Sequence, residues 1–346
     1  MIKKPENASS DPNMTNTLPI LDNFGRIHNN LRVSVTDRCN IRCFYCMPEN
    51  NVTFLPRPQL LTLEEITRLV SIMAKMGVDR IRLTGGEPLV RRDLWKLVEW
   101  IHAIPQIKDI ALTTNGLVLA EHAAALRKAG LNRLNISLDT LSEATFERIS
   151  RRKGLSRVLE GIRVAQEVGF DKIRLNAVSM AGITEDDIVP LAEFARREKL
   201  ELRFIEFMPL DAEGNWQTDS VISGETIRKT ISKHVAPMTP AERTDPSQPA
   251  TDFDYEDGQG RVGFINPVSQ PFCSSCNRLR LTAEGKVRNC LFSTTEWDTR
   301  ELIRSGATDT EIEQVIRDCV SAKKAAHGID SEEFQRPEKA MYQIGG

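Results

Sequence analysis

Three cysteines near the N-terminus, Cys39, Cys43 and Cys46, have the spacing C-x3-C-x2-C, with no fourth cysteine close by. Cubane iron–sulfur clusters are normally held by four thiolates. Three thiolates would leave one iron with an open coordination position, and an open position on a bound metal is where chemistry takes place. Such a cluster could hold a small chelating molecule and transfer an electron to it. Zinc is the alternative, but it needs a fourth ligand, and the nearest candidate, His28, does not have zinc-finger spacing.

A second cysteine group lies far downstream, where Cys273, Cys276 and Cys290 form a C-x2-C-x13-C pattern. This pattern again supplies three thiolates. A zinc ribbon would normally supply a second C-x-x-C pair, which the sequence lacks, so zinc remains an alternative and a second cluster with its own open iron is favoured. The seventh cysteine, Cys319, lies on an apolar helical stripe and is predicted to be a buried core thiol.

The composition fits an intracellular enzyme. The 346 residues are 40% hydrophobic and 27% charged, and the net charge of −2 argues against nucleic acid as the main partner. No apolar run approaches the roughly 18 residues that a membrane helix needs, and the N-terminus lacks an apolar signal core. Six of the seven cysteines are grouped in threes, which indicates metal binding in a reducing compartment and not a disulfide framework. We therefore expect a cytoplasmic protein that binds neither nucleic acid nor membranes.

Short strands and helices alternate over the part of the chain that follows a polar segment, 1–20, which is predicted to be disordered. Six β/α units in series predict parallel strands with right-handed crossovers and, in barrel-type winding, ligands at the carboxyl ends of the strands. The first cysteine group directly follows the first strand and should lie at that end. Strands are predicted at Leu31–Val35, Arg80–Leu83, Ile110–Thr113, Arg133–Leu138, Lys172–Val178 and Leu200–Phe207, and helices at about 62–73, 91–103, 119–129, 156–168 and 184–198.

These strands carry an unexpected polar face. Parallel strands that are covered on both sides should be nearly continuous apolar runs, but here polar and apolar residues alternate. An antiparallel sheet with a solvated face is the alternative, and the intervening helices argue against it. Because unpaired arginines are costly to bury, we expect a partial barrel with a wet, cationic interior that an anionic ligand fills. The residues on this face are Arg32, Ser34, Thr36, Arg82, Thr84, Thr113, Asn115, Asn135, Ser137, Asp139, Arg174 and Asn176.

Beyond residue 210 the β/α pattern ends. The sequence predicts a helix over 223–235, a linker or loop over Pro237–Gly260, a strand at Val262–Val268, and helices around 297–304 and 308–323. The predicted organisation is therefore a disordered segment 1–20, a partial barrel over 21–210, and a C-terminal α+β region over 211–346 that carries the second cysteine group.

On these residues the chain resembles the GTP 3′,8-cyclases, a family of radical S-adenosylmethionine (SAM) enzymes of molybdenum cofactor biosynthesis. The first cysteine group, with the aromatic Tyr45 before its last cysteine, is typical of the radical SAM superfamily. The second group, the run Arg278-Leu279-Arg280 and the terminal Gly345-Gly346 are typical of the family. Further matching runs are Arg80–Leu89, Leu112–Gly116, Asn135–Asp139 and Arg203–Met208.

The resemblance implies a lyase with two [4Fe-4S] clusters on a partial (β/α)6 TIM-type barrel, followed by a C-terminal α+β cluster-binding region. The first cluster would reduce SAM to a 5′-deoxyadenosyl radical, which takes the hydrogen from ribose C3′ of GTP. Attack of the C3′ radical on guanine C8, followed by reduction, would then give 3′,8-cyclo-7,8-dihydro-GTP, with the guanine held by the second cluster. The resemblance also implies a reducing electron donor, a homodimer, and delivery of the product to a cyclic pyranopterin monophosphate synthase.

The resemblance also assigns roles to individual residues. It implies that Cys39, Cys43 and Cys46 hold the first cluster, Cys273, Cys276 and Cys290 the second, and Tyr45, Gly86, Ser137 and Met208 contact SAM. It implies that GTP is bound by Arg32, Arg82, Thr113, Arg174, Arg278, Leu279 and Arg280, and that the catalytic residues are Arg278, Arg280, Gly345 and Gly346. No phosphate-loop motif is present, so arginine forks must bind the triphosphate. The family usually has lysine at position 174, and arginine is not equivalent to it.

Two other functions stay open. A peptide-modifying radical SAM enzyme with an auxiliary cluster would be expected to carry more cysteines in its C-terminal part. A non-catalytic iron–sulfur or zinc-binding regulatory protein predicts no ligand-sized cavity along the polar face.

Overall fold

The computed structural model describes residues 19–214, 216–332 and 334–345 of the chain. The segment 1–20, predicted to be disordered, therefore lies outside the described residues except for Pro19 and Ile20. Ile20 is buried, and its backbone N–H donates to the carbonyl of Met76 at 3.2 Å. Gly346, one of the two tail glycines, also lies outside the described residues.

The predicted β/α units are present, and their strands pair in parallel in chain order. The strands are β1 (Asn30–Ser34), β2 (Arg80–Thr84), β3 (Asp109–Thr114), β4 (Arg133–Ser137), β5 (Ile173–Ser179) and β6 (Glu201–Glu206). The helices between them are α1 (Leu63–Lys75), α2 (Leu94–His102), α3 (Leu119–Lys128), α4 (Glu143–Ser150), α5 (Leu155–Glu167) and α6 (Ile188–Arg197). The predicted helices did not include α4, although Ser142 caps it by accepting a hydrogen bond from the backbone N–H of Thr145.

The C-terminal region continues the same sheet at both edges. After α7 (Gly224–His234) it adds β7 (Met238–Pro240), β8 (Thr251–Tyr255), β9 (Arg261–Ile265), β10 (Arg278–Leu281), β11 (Lys286–Arg288) and β12 (Trp297–Asp298). Strand β9 pairs in parallel with β6, and β10 pairs in parallel with β1. The order in the described chain is β12-β11-β10-β1-β2-β3-β4-β5-β6-β9-β8-β7. The chain then forms α8 (Arg300–Arg304), α9 (Asp309–Ser321) and α10 (Met341–Ile344).

The prediction of a linker over Pro237–Gly260 is wrong for two parts of that segment, because β7 and β8 lie within it. The intervening residues 241–250 reach the barrel interior. Asp245 forms an ion pair with Arg80 on β2, and Pro249 lines the interior cavity. The high content of Pro, Asp and Gly indicated a loop correctly, but composition does not report the partners that a loop finds in the fold.

The apolar core lies between the outer face of the sheet and the helices. Leu31 and Val33 of β1 are fully buried in the same core as Ile66 and Leu69 of α1. Burial of an aliphatic side chain of this size contributes about 1.5–3 kcal/mol relative to exposure, so this face fixes the register of each strand. Cys319 is also fully buried in this core, which confirms the prediction of a core thiol.

No helix of the described chain combines the length and the apolarity that a membrane crossing requires.

Candidate functional site

A cavity of about 310 Å³ lies inside the barrel, a volume within the range of small-molecule sites. Both cysteine groups line it. Most residues of the predicted polar face line it as well. A non-catalytic iron–sulfur or zinc-binding regulatory protein predicted no such cavity, so the cavity argues against that alternative. The polar-face residues in its wall are Arg32, Arg82, Thr84, Thr113, Asn115, Asn135, Ser137, Asp139 and Asn176.

The two cysteine groups attach at opposite ends of neighbouring strands. Cys39 follows β1, whereas Cys276 directly precedes β10, and these two strands run in parallel. The residues between the two ends, such as Arg32 and Arg280, are paired in register and both line the cavity. The cavity therefore joins two thiol sites through a wall of arginines. Among the described residues, no three His, Cys, Asp or Glu side chains lie close enough together to hold a single metal ion, and this includes both cysteine groups.

The first cysteine loop packs directly on a pair of glycines after β2. The backbone N–H of Gly86 donates to the carbonyl of Thr36 at 2.7 Å. A Cβ on Gly86 would lie 2.3 Å from the carbonyl oxygen of Arg38, and one on Gly85 would lie 2.4 Å from that of Thr36. Close approach of the backbone of the cysteine loop is therefore the reason for glycine at these two positions.

Burial sets the protonation of the first cysteine group. Burial, together with the neighbouring carboxylate of Glu87, raises the pKa of the Cys39 thiol to about 11. Burial also raises the pKa of Cys43 and of Cys46. These thiols become thiolates when a cation compensates their charge, and thiolates are the ligands that iron–sulfur clusters use. The donor set therefore fits a cluster.

Glu87 organises the wall beside this cysteine group. Its carboxylate accepts hydrogen bonds from the Thr114 hydroxyl and the Asn115 backbone N–H, both at 2.7 Å, and from the Leu89 backbone at 3.0 Å. Burial raises the pKa of Glu87 to about 7. The side-chain amide of Asn115 in turn lies 3.8 Å from the Cys39 sulfur. Glu87 was missing from the predicted site, although its place in the run Arg80–Leu89 is a usable signal.

Tyr45 is oriented by a buried carboxylate. Its hydroxyl donates to Asp139 Oδ2 at 2.7 Å, and Asp139 Oδ1 accepts from the backbone N–H of Val178 at 2.8 Å. Burial raises the pKa of Asp139 to about 6. The four residues predicted to contact SAM all lie in the cavity wall: Tyr45, Gly86, Ser137 and Met208.

Positively charged side chains lie beside the second cysteine group. Arg278 places two guanidinium nitrogens 3.4 and 3.3 Å from the Cys276 sulfur, and Lys323 Nζ lies 3.4 Å from the same sulfur. Burial raises the pKa of this thiol, but the positive charges of Arg278 and Lys323 outweigh burial and lower it to about 6. This group also fits a thiolate-bound cluster. No sequence pattern pointed to Lys323, because it lies far from the cysteines in the chain.

Arginines on the inner face of the sheet fall into two sets. The first set is paired with carboxylates: Arg80 with Asp245, Arg133 with Asp109, Arg174 with Glu201, and Arg203 with Asp252. The second set has no carboxylate partner among the described residues: Arg32, Arg82, Arg278 and Arg280.

Arg32 and Arg82 carry the clearest excess of charge. Neither forms a hydrogen bond or an ion pair with any residue in the described ranges, and both guanidinium groups face the cavity. Burial lowers the pKa of each well below its ordinary value, and nearby arginines lower it further. An anionic ligand would supply the missing compensation. The hydroxyl of Thr113 is likewise buried without a partner in this wall.

Two residues that were predicted to bind GTP are not brought into the cavity wall. Leu279 is fully buried in the apolar core, because side chains alternate along β10 and its neighbours Arg278 and Arg280 face the cavity. Its side chain therefore cannot contact a ligand in the cavity. Arg174 is on the inner face but ends in its ion pair with Glu201. Arg203, which the prediction omitted, does line the cavity and continues the polar alternation along β6.

The C-terminal tail enters the barrel. A guanidinium N–H of Arg280 donates to the carbonyl of Gly345, a buried residue with a φ of +84°. Within α10, Tyr342 belongs to an apolar cluster against which Cys39 and Cys46 pack, and Ile344 belongs to the cluster against which Cys290 packs. The tail therefore contacts both cysteine groups.

Comparisons with known proteins agree with this geometry. Residues 33–195 match the radical SAM superfamily, and residues 200–329 match the family described as Molybdenum Cofactor Synthesis C. A GTP 3′,8-cyclase of Rhodopirellula baltica is 52% identical over 342 residues, which cover 98% of this chain and 95% of the relative. A GTP 3′,8-cyclase of Mycolicibacterium smegmatis is 45% identical and covers 95% of this chain and 92% of its own length.

Solved structures show a similar fold. SuiB of Streptococcus suis bound to S-adenosylmethionine superimposes with a TM-score of 0.58 at 15% identity, over 82% of this chain and 64% of SuiB. A second structure of SuiB superimposes with a TM-score of 0.59, over 88% of this chain and 69% of SuiB. The present chain thus spans about two thirds of the length of SuiB, and at this identity the likeness shows a similar fold alone.

Proposed function

The chain belongs to the GTP 3′,8-cyclase family of radical SAM enzymes, and on that premise we propose how its own residues support the reaction. It is a lyase of molybdenum cofactor biosynthesis that acts on GTP with SAM and an iron–sulfur cluster. The number of clusters, the roles of individual residues and the further partners are the proposal.

Each cysteine group is proposed to hold one [4Fe-4S] cluster. The support is that both are sets of three thiols in the wall of one cavity, and thiolate is the soft ligand that iron–sulfur clusters use. If bound, the first cluster would supply the electron for reductive cleavage of SAM, and the second would supply a coordination position for the guanine. Arg278 and Lys323 offset negative charge at Cys276.

SAM is proposed to contact Tyr45, Gly86, Ser137 and Met208. The support is that all four line the same cavity as the first cysteine group. Asp139 holds the Tyr45 hydroxyl and thereby fixes the ring before any ligand arrives, which reduces the ordering cost of binding.

The triphosphate of GTP is proposed to bind the arginines that have no carboxylate partner. Arg32 and Arg82 supply uncompensated charge, and Arg278 and Arg280 extend it toward the second cysteine group. The unpartnered hydroxyl of Thr113 is a further donor or acceptor in that wall. Arg174 is also proposed to contact a phosphate. Its ion pair with Glu201 must break first, so its contribution to GTP binding should be smaller.

Arg278, Arg280, Gly345 and Gly346 are proposed to assist the hydrogen abstraction at ribose C3′. The support is the hydrogen bond from Arg280 to the Gly345 carbonyl inside the barrel. Pro249 of the loop over 241–250 and Met341 and Tyr342 of the tail line the cavity, so they would help to keep water away from a reactive carbon centre.

One observation carries this function: both groups of three cysteines line the same cavity as the arginines that have no carboxylate partner among the described residues. The test is anaerobic incubation of the reconstituted protein with GTP, SAM and dithionite. We expect 3′,8-cyclo-7,8-dihydro-GTP and 5′-deoxyadenosine by mass spectrometry and NMR. GTP deuterated at C3′ should pass its deuterium to 5′-deoxyadenosine, and a product that keeps all the deuterium would reject the C3′ assignment. A peptide-modifying enzyme would leave GTP unchanged.

The wider setting is part of the same proposal. A cytoplasmic location is supported by cysteines that are all free thiols in the described chain. A low-potential electron donor, a homodimer and a cyclic pyranopterin monophosphate synthase as recipient of the product are supported by family membership. Sedimentation of the reconstituted protein tests the homodimer.

A further inference from the structure

Hydrogen bonds within the loop that precedes β1 hold it in place. We define residues 22–29 as the N-terminal clamp. Leu21 and Ile27 form an antiparallel bridge that closes the loop. Within it, Asp22 Oδ1 accepts from the backbone N–H groups of Phe24 at 2.9 Å and Arg26 at 3.0 Å. The other carboxylate oxygen accepts from Arg26 Nε at 2.5 Å and lies 3.0 Å from His28 Nε2. This network leaves the guanidinium of Arg26 with one orientation.

Arg26 uses that orientation to join two distant segments. Its Nη1 donates to the carbonyls of Cys273 at 2.7 Å and Ala325 at 2.9 Å, and its Nη2 donates to the carbonyl of Lys324 at 2.8 Å. With the bond from Nε to Asp22, three of its nitrogens are engaged, and the side chain is buried. The planar guanidinium of arginine can donate to several acceptors through separate nitrogens, whereas the ammonium of lysine donates from one nitrogen only.

The joined segments are those that hydrogen-bond the second cysteine group. Lys323 Nζ lies 3.4 Å from the Cys276 sulfur and 3.1 Å from the carbonyl of Arg278. The backbone N–H of His327 is directed to the Cys273 sulfur. Arg26 thus holds the backbone of the residues between Lys323 and His327.

Two further contacts tie the clamp to the same region. The Asn23 side-chain amide donates to the carbonyl of Ser321 at 2.8 Å. The Asn277 side chain donates to Asn29 Oδ1 at 2.7 Å, next to Cys276. The first cysteine group receives its hydrogen bonds from other residues: the Asn115 side-chain amide lies 3.8 Å from the Cys39 sulfur, and the Tyr342 backbone N–H is directed to the Cys46 sulfur. Within the described chain, no hydrogen bond found for residues 22–29 reaches that group.

We propose that the N-terminal clamp is the support of the second cluster site, with Arg26 as its positioning residue. This inference rests on the proposed second cluster. Arg26 acts through backbone carbonyls, and the groups it positions then bond to the thiolates. Such outer partners change metal affinity by about 10- to 100-fold when they are removed.

The test separates the two cysteine groups. Arg26→Gln is made in a protein whose first group, Cys39, Cys43 and Cys46, is changed to alanine, so that all bound iron belongs to the second site. Iron per chain, the rate of iron loss to a chelator and the electron paramagnetic resonance spectrum are measured after anaerobic reconstitution. Because the Arg26→Gln protein lacks the guanidinium fork, we expect it to lose iron about 10- to 100-fold faster, as for other outer partners. Arg26→Lys should restore only part of the retention.

The same substitution in the converse protein, with Cys273, Cys276 and Cys290 changed to alanine, should leave iron loss unchanged. Arg304→Gln is the matched control, because Arg304 also joins a carboxylate, Glu65, to backbone carbonyls, those of Pro58 and Leu60, away from both groups. Asn23→Ala is a milder second variant should Arg26→Gln not fold, as judged by circular dichroism, and it should speed iron loss to a smaller extent.

Equal iron loss with and without the Arg26 fork at the second site, or equal acceleration at both sites, would overturn the clamp proposal. Absence of iron at the second site while Arg26 is intact would instead overturn the second cluster, and the clamp with it.

Discussion

The inner-face arginines differ in what compensates their charge. Arg80, Arg133, Arg174 and Arg203 are paired with carboxylates, whereas Arg32 and Arg82 have no partner among the residues that the structure describes. A phosphate group gains most from a cation that nothing else neutralises, because no existing pair must be broken. An arginine in this wall is therefore identified as a phosphate contact by the lack of a carboxylate partner, and not by its residue type alone.

We expect Arg82→Ala to weaken GTP binding by about 2–5 kcal/mol, since it removes a desolvated cation from a charge pair. Arg174→Ala should weaken it less, because Glu201 already compensates that charge, and Arg174→Lys should keep most activity. The measurement is calorimetric titration of GTP into reconstituted protein without reductant. Arg133→Ala, which removes a carboxylate-paired arginine, is the control. A larger loss for Arg174→Ala than for Arg82→Ala would contradict this order.

Glu87 should make the stability of the cluster-free protein depend on pH. Its pKa is raised from 4.5 to about 7 by burial, so the folded state binds a proton more tightly than the unfolded state. Stability is then greatest below the unfolded pKa and falls as pH rises from about 4.5 to 7, by roughly 3 kcal/mol for this group. Denaturant unfolding of Glu87→Gln should show a shallower decline over this range. An unchanged slope would show that Glu87 is not the responsible group.

At the scale of elements, the position of the tail helix α10 depends on how little space the residue after it, Gly345, occupies. A Cβ on Gly345 would lie 2.8 Å from the Cβ of Ser34 and 3.2 Å from a methyl carbon of Thr84. The tail can therefore approach β1 and β2 this closely only with glycine at this position. The hydrogen bond from Arg280 depends on the same approach.

We expect Gly345→Ala, like deletion of Gly345 and Gly346, to leave iron content and SAM binding intact while nearly abolishing GTP conversion. Gly306→Ala is the matched control, since Gly306 also has a φ of +84° but has no atom within 4 Å of its added Cβ. Both substitutions place alanine at a φ of +84°, which L residues rarely adopt, and only Gly345→Ala adds a collision. Normal turnover in the Gly345→Ala protein would show that the tail has no part in the reaction.

At the scale of the whole molecule, one sheet connects both cysteine groups. Strands β9 and β10 of the C-terminal region pair with β6 and β1, so the predicted division at residue 210 crosses a continuous set of hydrogen bonds. Each cysteine group is attached to this sheet at a different strand end. A rigid sheet thereby sets the separation of two sites that lie far apart in the chain.

We expect anaerobically reconstituted protein to hold about eight irons per chain, as two tetranuclear clusters require. Changing Cys273, Cys276 and Cys290 to alanine should halve the iron and leave SAM binding unchanged. Iron and zinc analysis with isothermal titration of SAM measures both effects. One zinc per chain at the second site of the native protein would contradict the two-cluster proposal.

The sequence by itself determined the parts of this protein that depend on local spacing. The two cysteine patterns, the β/α alternation and the polar face of the strands can all be read from neighbouring residues, because side-chain direction repeats every two residues in a strand. Tertiary structure alone decided which arginine is neutralised, because Asp245, Glu201 and Asp252 reach their partners through strand pairing and loop closure. It also decided that Arg26 contacts the Cys273 loop, since that contact spans 247 residues and leaves no local pattern.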